Sequence, residues 1–135
     1  MVDGRSRIVP VAPSILVAER EPTSRTSLSE LLREEGYRVV EAADSDTAVV
    51  QLAHDPGIKV ILSDLEMPSW SAVIKHARAN LPESFILGMV RYGALANAHE
   101  AQRLGAHAYL VKPLTFTEVN LSIQRFLTGR SRIKT

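Results

Sequence analysis

The chain has 135 residues, 45% apolar and 23% charged, a size and composition that suit one globular domain with its own core. Sixteen basic residues against fifteen acidic ones leave a net charge of +1, so no strong field draws the protein to nucleic acid or to a membrane surface. Cysteine is absent, which removes disulfides, thiol catalysis and thiolate metal sites, and no apolar run approaches the ~20 residues of a membrane span.

Residues 1–13 read as a flexible tail. Ile8-Val9-Pro10-Val11 is too short and too broken by proline to be the apolar core of a signal peptide, so a cytoplasmic location is expected. Ile15-Leu16-Val17-Ala18 is the first β-rich run. Leu28, Leu31 and Leu32 then form a helical i, i+3, i+4 stripe that ends at Gly36, a natural C-cap. Arg38-Val39-Val40-Glu41 is more polar and suits an edge strand. Asp44 or Ser45 can cap a second helix carrying Ala48, Val49 and Leu52. The clearest strand, Val60-Ile61-Leu62-Ser63, is followed by a third helical stripe, Trp70, Val73, Ile74, Ala77 and Leu81, stopped by Pro82. Phe85 to Val90 is the next apolar run, and Leu95, Ala98, Ala101 and Leu104 give a helix closed by Gly105. After Tyr109-Leu110-Val111, Thr115 with Glu118 is a capping box and Leu114 with Val119 a hydrophobic staple. Val119, Ile123, Phe126 and Leu127 mark the buried face of that last helix. Residues 129–135 read as a basic tail, in which Gly129-Arg130-Ser131-Arg132-Ile133 repeats Gly4-Arg5-Ser6-Arg7-Ile8. Coincidence is the favoured explanation of the repeat.

Continuous apolar runs suit strands buried on both faces. Five strand–helix units in strict alternation therefore predict right-handed crossovers and an open parallel sheet covered by helices on both sides. No linker to a second domain is expected. In such sheets chemistry sits at the carboxyl ends of the strands, near the reversal in strand order. Asp64 emerges there, and a carboxylate so placed can act as a nucleophile towards phosphorus. Taken alone, it would more simply cap the following turn or helix. Lys112 ends another apolar run on the same rim and offers a point charge, and Glu19 ends the first. The Lys112-Pro113 bond at a strand end is a candidate cis peptide.

Three blocks then make a pattern: Ile15-Leu16-Val17-Ala18-Glu19-Arg20-Glu21-Pro22, Asp64-Leu65-Glu66-Met67-Pro68, and Gly105-Ala106-His107-Ala108-Tyr109-Leu110-Val111-Lys112-Pro113. In order and approximate spacing they resemble the signature blocks of response-regulator receiver domains, over residues 14–128. The resemblance implies a flavodoxin-like, doubly wound (βα)5 fold with a five-stranded parallel sheet in the order 2-1-3-4-5. It implies that Asp64 is the phosphoacceptor, assisted by Mg2+, with Lys112 on the phosphoryl oxygens and Tyr109 as the aromatic switch. Tyr109 is equally well read as a plain core residue.

The departures from the family pattern fall on the site. Receivers usually carry two adjacent acids after the first strand, and here the pair is Glu19-Arg20. A guanidinium has only donors and repels a cation, so Arg20 is expected to weaken Mg2+ binding, leaving Glu19, Asp64 and the Glu66 backbone carbonyl as the metal ligands. Arg20 either pairs with Asp64 in place of the metal, the favoured reading, or swings outward. Val90 stands where the family has a switch Ser or Thr and lacks the hydroxyl, and Arg91 next to it modifies the pocket mouth. The glycine expected after Met67-Pro68 is missing, and the loop at Ser69-Trp70 is about two residues short by the family's spacing.

The function implied is a receiver of a two-component phosphorelay with impaired Mg2+-dependent phosphorylation, and no enzymatic turnover of its own. The alternative is a phosphorylation-independent pseudo-receiver acting as a scaffold. The implied partners are a histidine kinase or phosphotransfer protein, and an output partner on the surface of the fourth helix, fifth strand and fifth helix. Self-association through a homodimer is left open, and neither direct nucleic-acid contact nor membrane contact is expected. A nucleotide- or flavin-binding enzyme of similar topology is disfavoured, since Glu19-Arg20-Glu21-Pro22 has no glycine to cradle a phosphate. His54, His76, His99 and His107 show no metal-ligand spacing.

Overall fold

Each apolar run becomes a strand and each amphipathic stretch a helix in the structure, a computed structural model that describes residues 12–132. In chain order the elements are β1 (Ser14–Ala18), α1 (Pro22–Glu34), β2 (Arg38–Ala42), α2 (Ser45–His54), β3 (Ile58–Asp64), α3 (Trp70–Asn80), β4 (Phe85–Val90), α4 (Leu95–Leu104), β5 (Ala108–Val111) and α5 (Phe116–Arg132). A short 3-10 turn, Tyr92–Ala94, leads into α4. The strands form one parallel sheet in the order β2-β1-β3-β4-β5. The order reverses between β1 and β3, and the crevice at that reversal is where Glu19 and Asp64 meet.

The two-residue strand period divides the core. Leu16, Ala18, Ile61, Ile86 and Val90 point to the face covered by α2, α3 and α4, through Ala48, Leu52, Ile74, Ala77, Ala98 and Ala101. Their neighbours Ile15, Val17, Val60, Leu62, Leu87 and Met89 point to the other face, against Leu32 of α1 and Val119 and Ile123 of α5. Burying a branched apolar side chain contributes roughly 1.5–3 kcal/mol, so β1, β3 and β4, with residues spent on both faces, anchor the sheet.

Local chemistry sets the boundaries. Glu21 caps α1, its carboxylate accepting from the Ser24 and Thr23 N–H groups at 2.6 and 3.3 Å, and Pro22 fills the first helical position. Those bonds hold the Glu21 carboxyl below the usual carboxylate range. Asp44, rather than Ser45, caps α2. The capping box at α5 closes both ways: Glu118 N–H donates to Thr115 Oγ1 at 3.2 Å and Thr115 N–H to Glu118 Oε1 at 3.4 Å. Gly105 ends α4 at φ +123°, where a side chain would strike Arg78. Ser69 stands before α3 at φ 61°, a left-handed position in the loop where the resemblance led to the expectation of a glycine.

Two expectations shift, and a third is not reached. Leu31 is 40% exposed, because α1 turns Leu28 and Leu32 inward and leaves Leu31 on the helix flank. The last helix runs on to Arg132, so the first part of the expected basic tail is helical. The expected N-terminal tail, the first copy of the five-residue repeat and the end of the second copy lie outside the described residues, apart from Ala12 and Pro13. No helix among the described residues is long and apolar enough to cross a membrane.

Candidate functional site

Asp64 is the last residue of β3, paired in the sheet with Met89 of β4, and is 1% exposed. Its Oδ1 accepts the Glu66 N–H at 2.9 Å, a bond within the turn that leaves β3. Glu19 follows β1 and is 3% exposed; its N–H still donates to the Ala42 carbonyl of β2, so the side chain leaves from a strand-like position. Lys112 follows β5 and precedes a cis peptide to Pro113. Its N–H donates to the Val90 carbonyl at 2.8 Å, which fixes where its side chain begins. The Lys112 Nζ then lies 2.9 Å from Glu19 Oε1 and 3.7 Å from Asp64 Oδ1. One ammonium thus faces two buried carboxylates, a geometry that removes much of the cost of burying them.

Arg20 takes neither a place beside Asp64 nor an ion pair among the described residues, and the favoured pairing with Asp64 is corrected. The reason is local. Glu19 Oε2 accepts the Glu21 N–H at 3.0 Å, and the Arg25 guanidinium donates to the Glu19 carbonyl at 2.9 Å. Together with the Glu21 cap these bonds curl the chain into α1 with Arg20 on the outside, exposed.

The guanidinium at the site is Arg91. Its N–H donates to Glu66 Oε2 at 2.9 Å, and its Nε and Nη2 donate to Glu66 Oε1 at 2.9 and 2.6 Å. The Glu66 side chain is 10% exposed and the Arg91 side chain 70%. The hydrogen bonds from Arg91 hold the Glu66 carboxyl below the usual range, and Glu66 first, with Asp64 adding to it, raises Arg91 above its ordinary value. Among the described residues no group of three or more Asp, Glu or His side chains is placed to hold a metal ion. Glu66, the third acid on the rim, has turned its carboxylate to Arg91.

Val90 is fully buried at the end of β4 and has no hydroxyl to offer. Tyr109 is half-buried, packed against the core on the α4 side and edge-on to His99 with ring centroids 6.3 Å apart. Two further side chains hold the loop after Asp64: Asn97, which the sequence did not mark, and Ser45, which it offered only as a helix cap. Asn97 of α4 donates to the Leu65 carbonyl at 2.8 Å, and the buried Ser45 hydroxyl at the start of α2 donates to the Pro68 carbonyl at 2.7 Å. Nothing in the spacing of a lone Asn or Ser marks a bond to a backbone carbonyl 32 or 23 residues away.

Comparison with known proteins matches this arrangement. The response regulator receiver domain family profile covers residues 15–124. The transcriptional regulatory protein PdtaR of Mycobacterium tuberculosis is 32% identical over 121 residues, 83% of this chain and 57% of that protein. The regulatory protein AtoC of Escherichia coli is 30% identical, over 89% of this chain and 26% of that protein. The chain therefore spans only about half and a quarter of these two relatives. A receiver domain protein from Clostridium thermocellum superposes with a TM-score of 0.82 over 90% of this chain and 98% of its own, at 24% identity. The receiver domain of the sensor histidine kinase PA1611 from Pseudomonas aeruginosa, solved with a magnesium ion in its active-site cleft, superposes at 0.77 over 87% of this chain and 99% of its own, at 25% identity. The sheet order, the rim of carboxylates with its lysine and the match along the sequence agree: this chain belongs to the response regulator receiver domain family, the signalling domains of two-component systems.

Proposed function

We propose that this receiver takes a phosphoryl group on Asp64 from a histidine kinase or phosphotransfer protein, slowly and with little help from Mg2+. The observation that carries the proposal is the Lys112 ammonium set between the buried carboxylates of Glu19 and Asp64. It lies beside the Asp64 carboxylate at the strand end and supplies a charge for incoming phosphoryl oxygens. Mg2+ demands near-octahedral oxygen ligation. Here the donor set is poor: Glu19 and Asp64 share a lysine, Glu66 is engaged by Arg91, and the residue beside Glu19 is an arginine. The Glu66 backbone carbonyl could add one oxygen but no charge.

A second reading, a phosphorylation-independent scaffold, draws support from the loop contacts. Arg91 to Glu66 and Asn97 to the Leu65 carbonyl already tie the loop after β3 to the loop after β4 and to α4. Val90 offers no hydroxyl for an added phosphoryl group to pull inward. In that reading the α4–β5–α5 surface, with Tyr109 beside His99, presents one fixed shape to its output partner.

Incubation with acetyl phosphate followed by intact mass separates the two. The first reading expects one phosphoryl adduct on the wild type and none on Asp64→Asn. An unmodified wild type after prolonged incubation contradicts it and leaves the scaffold.

A further inference from the structure

If Asp64 is the acceptor, as proposed above, we infer that Arg91 is a catalytic residue of the phosphoryl transfer, providing the positive charge at the phosphoryl oxygens in a site that works without a divalent cation, with Glu66 positioning it. Arg91 lies one residue beyond β4, the strand paired with Asp64, and Glu66 lies two residues beyond Asp64. Three hydrogen bonds join them, one from the Arg91 backbone and two from its guanidinium. Those two engage only part of a five-donor fork, so the remaining N–H groups stay available while Glu66 holds the side chain in place. The Arg91 side chain is 70% exposed and so reaches the solvent from which a phosphodonor arrives, whereas Asp64 is buried.

The charge balance points the same way. Three carboxylates, Glu19, Asp64 and Glu66, face two cations, Lys112 and Arg91, which leaves one net negative charge in the cluster. A dication added to such a site meets a single net negative charge and two fixed cations. On this reading an incoming phosphoryl group draws on two cations, Lys112 and Arg91, the two charges that a metal-assisted site divides between its lysine and its metal.

With acetyl phosphate the step is balanced. An Asp64 carboxylate oxygen forms a bond to phosphorus, the bond from phosphorus to the acetyl oxygen breaks, and acetate leaves with the electron pair. No proton or redox partner is needed. Arg91 acts by neutralising charge on the equatorial oxygens as they separate from both partners.

The adduct is followed by intact mass for the wild type in excess EDTA and in millimolar Mg2+, and for Arg91→Lys and Arg91→Ala in EDTA. The expected result is the same rate for the wild type in both media, with Arg91→Ala slower by about a hundredfold and Arg91→Lys in between. Abolition of the wild-type adduct by EDTA overturns the role of Arg91, as does an Arg91→Ala rate equal to or above wild type, which would make Arg91 a plug. Either result leaves Asp64 as the acceptor. A wild type that gains no adduct in either medium, like Asp64→Asn, overturns the acceptor reading and the role of Arg91 with it.

Discussion

Among the described residues Lys112 is the one cation in contact with both Glu19 and Asp64, and they are 3% and 1% exposed. Replacing it by Met leaves two like charges buried on one rim without compensation, and the expected loss is about 3 kcal/mol in urea unfolding. Adding Asp64→Asn to Lys112→Met should recover part of that loss, since one of the stranded charges goes. Equal stability of Lys112→Met and wild type would mean that the ammonium does not hold the rim together. His107 poses a different test. Its Nδ1 accepts the Ile86 N–H at 3.0 Å, a bond that only the imidazole with an unprotonated Nδ1 can make. Burial first, and the Arg78 charge second, hold the His107 imidazole below its ordinary value. With the folded value depressed, the unfolded chain takes up the proton first. The contribution of His107 is then whole above about pH 6.5, the unfolded histidine value, and is lost as pH falls through the folded value. Unfolding free energies between about pH 7 and pH 5 should fall for the wild type and fall less for His107→Gln. Parallel curves would remove His107 from the account.

Among the elements, β4 carries a constraint that its composition conceals. Gly88 sits in the middle of an otherwise bulky apolar strand, and a Cβ there would come within 2.5 Å of Leu65 Cδ1. Leu65, fully buried, begins the loop after Asp64, and its N–H donates to the Met89 carbonyl at 2.9 Å. Gly88→Ala should therefore cost about 1–3 kcal/mol through overpacking and displace the turn that orients Asp64. A neutral Gly88→Ala would show that the loop yields freely. Much of this architecture was legible beforehand. The apolar runs at Ile15, Val60 and Phe85, the capping box at Thr115 and the glycine stops announced their elements, because their signals are local. Glu19, Asp64 and Lys112 were legible as a group because strand ends in a parallel sheet share one rim. What stayed hidden depends on direction and distance. A sequence places Arg20 beside Glu19 but does not say that the Glu21 cap and the Arg25 bond turn it outward, and the pairing of Arg91 with Glu66 spans 25 residues. Asn97 and Ser45 act on backbone carbonyls, which leave no trace in residue type.

At the scale of the whole molecule, two layers of helices fix the sheet from both faces and bring three strand ends to one crevice. The Asp64 turn is then bound to α4 through Asn97 and to α2 through Ser45, so a change at Asp64 has direct mechanical routes to both helices. For a signalling domain such routes matter only if the site has two states to choose between. The central proposal is that those states are set by a phosphoryl group meeting lysine and arginine, with the metal in a minor role. The measurement that tests it most directly is an Mg2+ titration of the uniformly 15N-labelled protein, followed by backbone amide shifts. The proposal expects no saturating shifts at Asp64, Glu66 or Lys112 up to about 10 mM, since two shared carboxylates beside two cations make a weak site for a hard dication. Saturation of those amides at submillimolar Mg2+, with Glu66 released from Arg91, would contradict it.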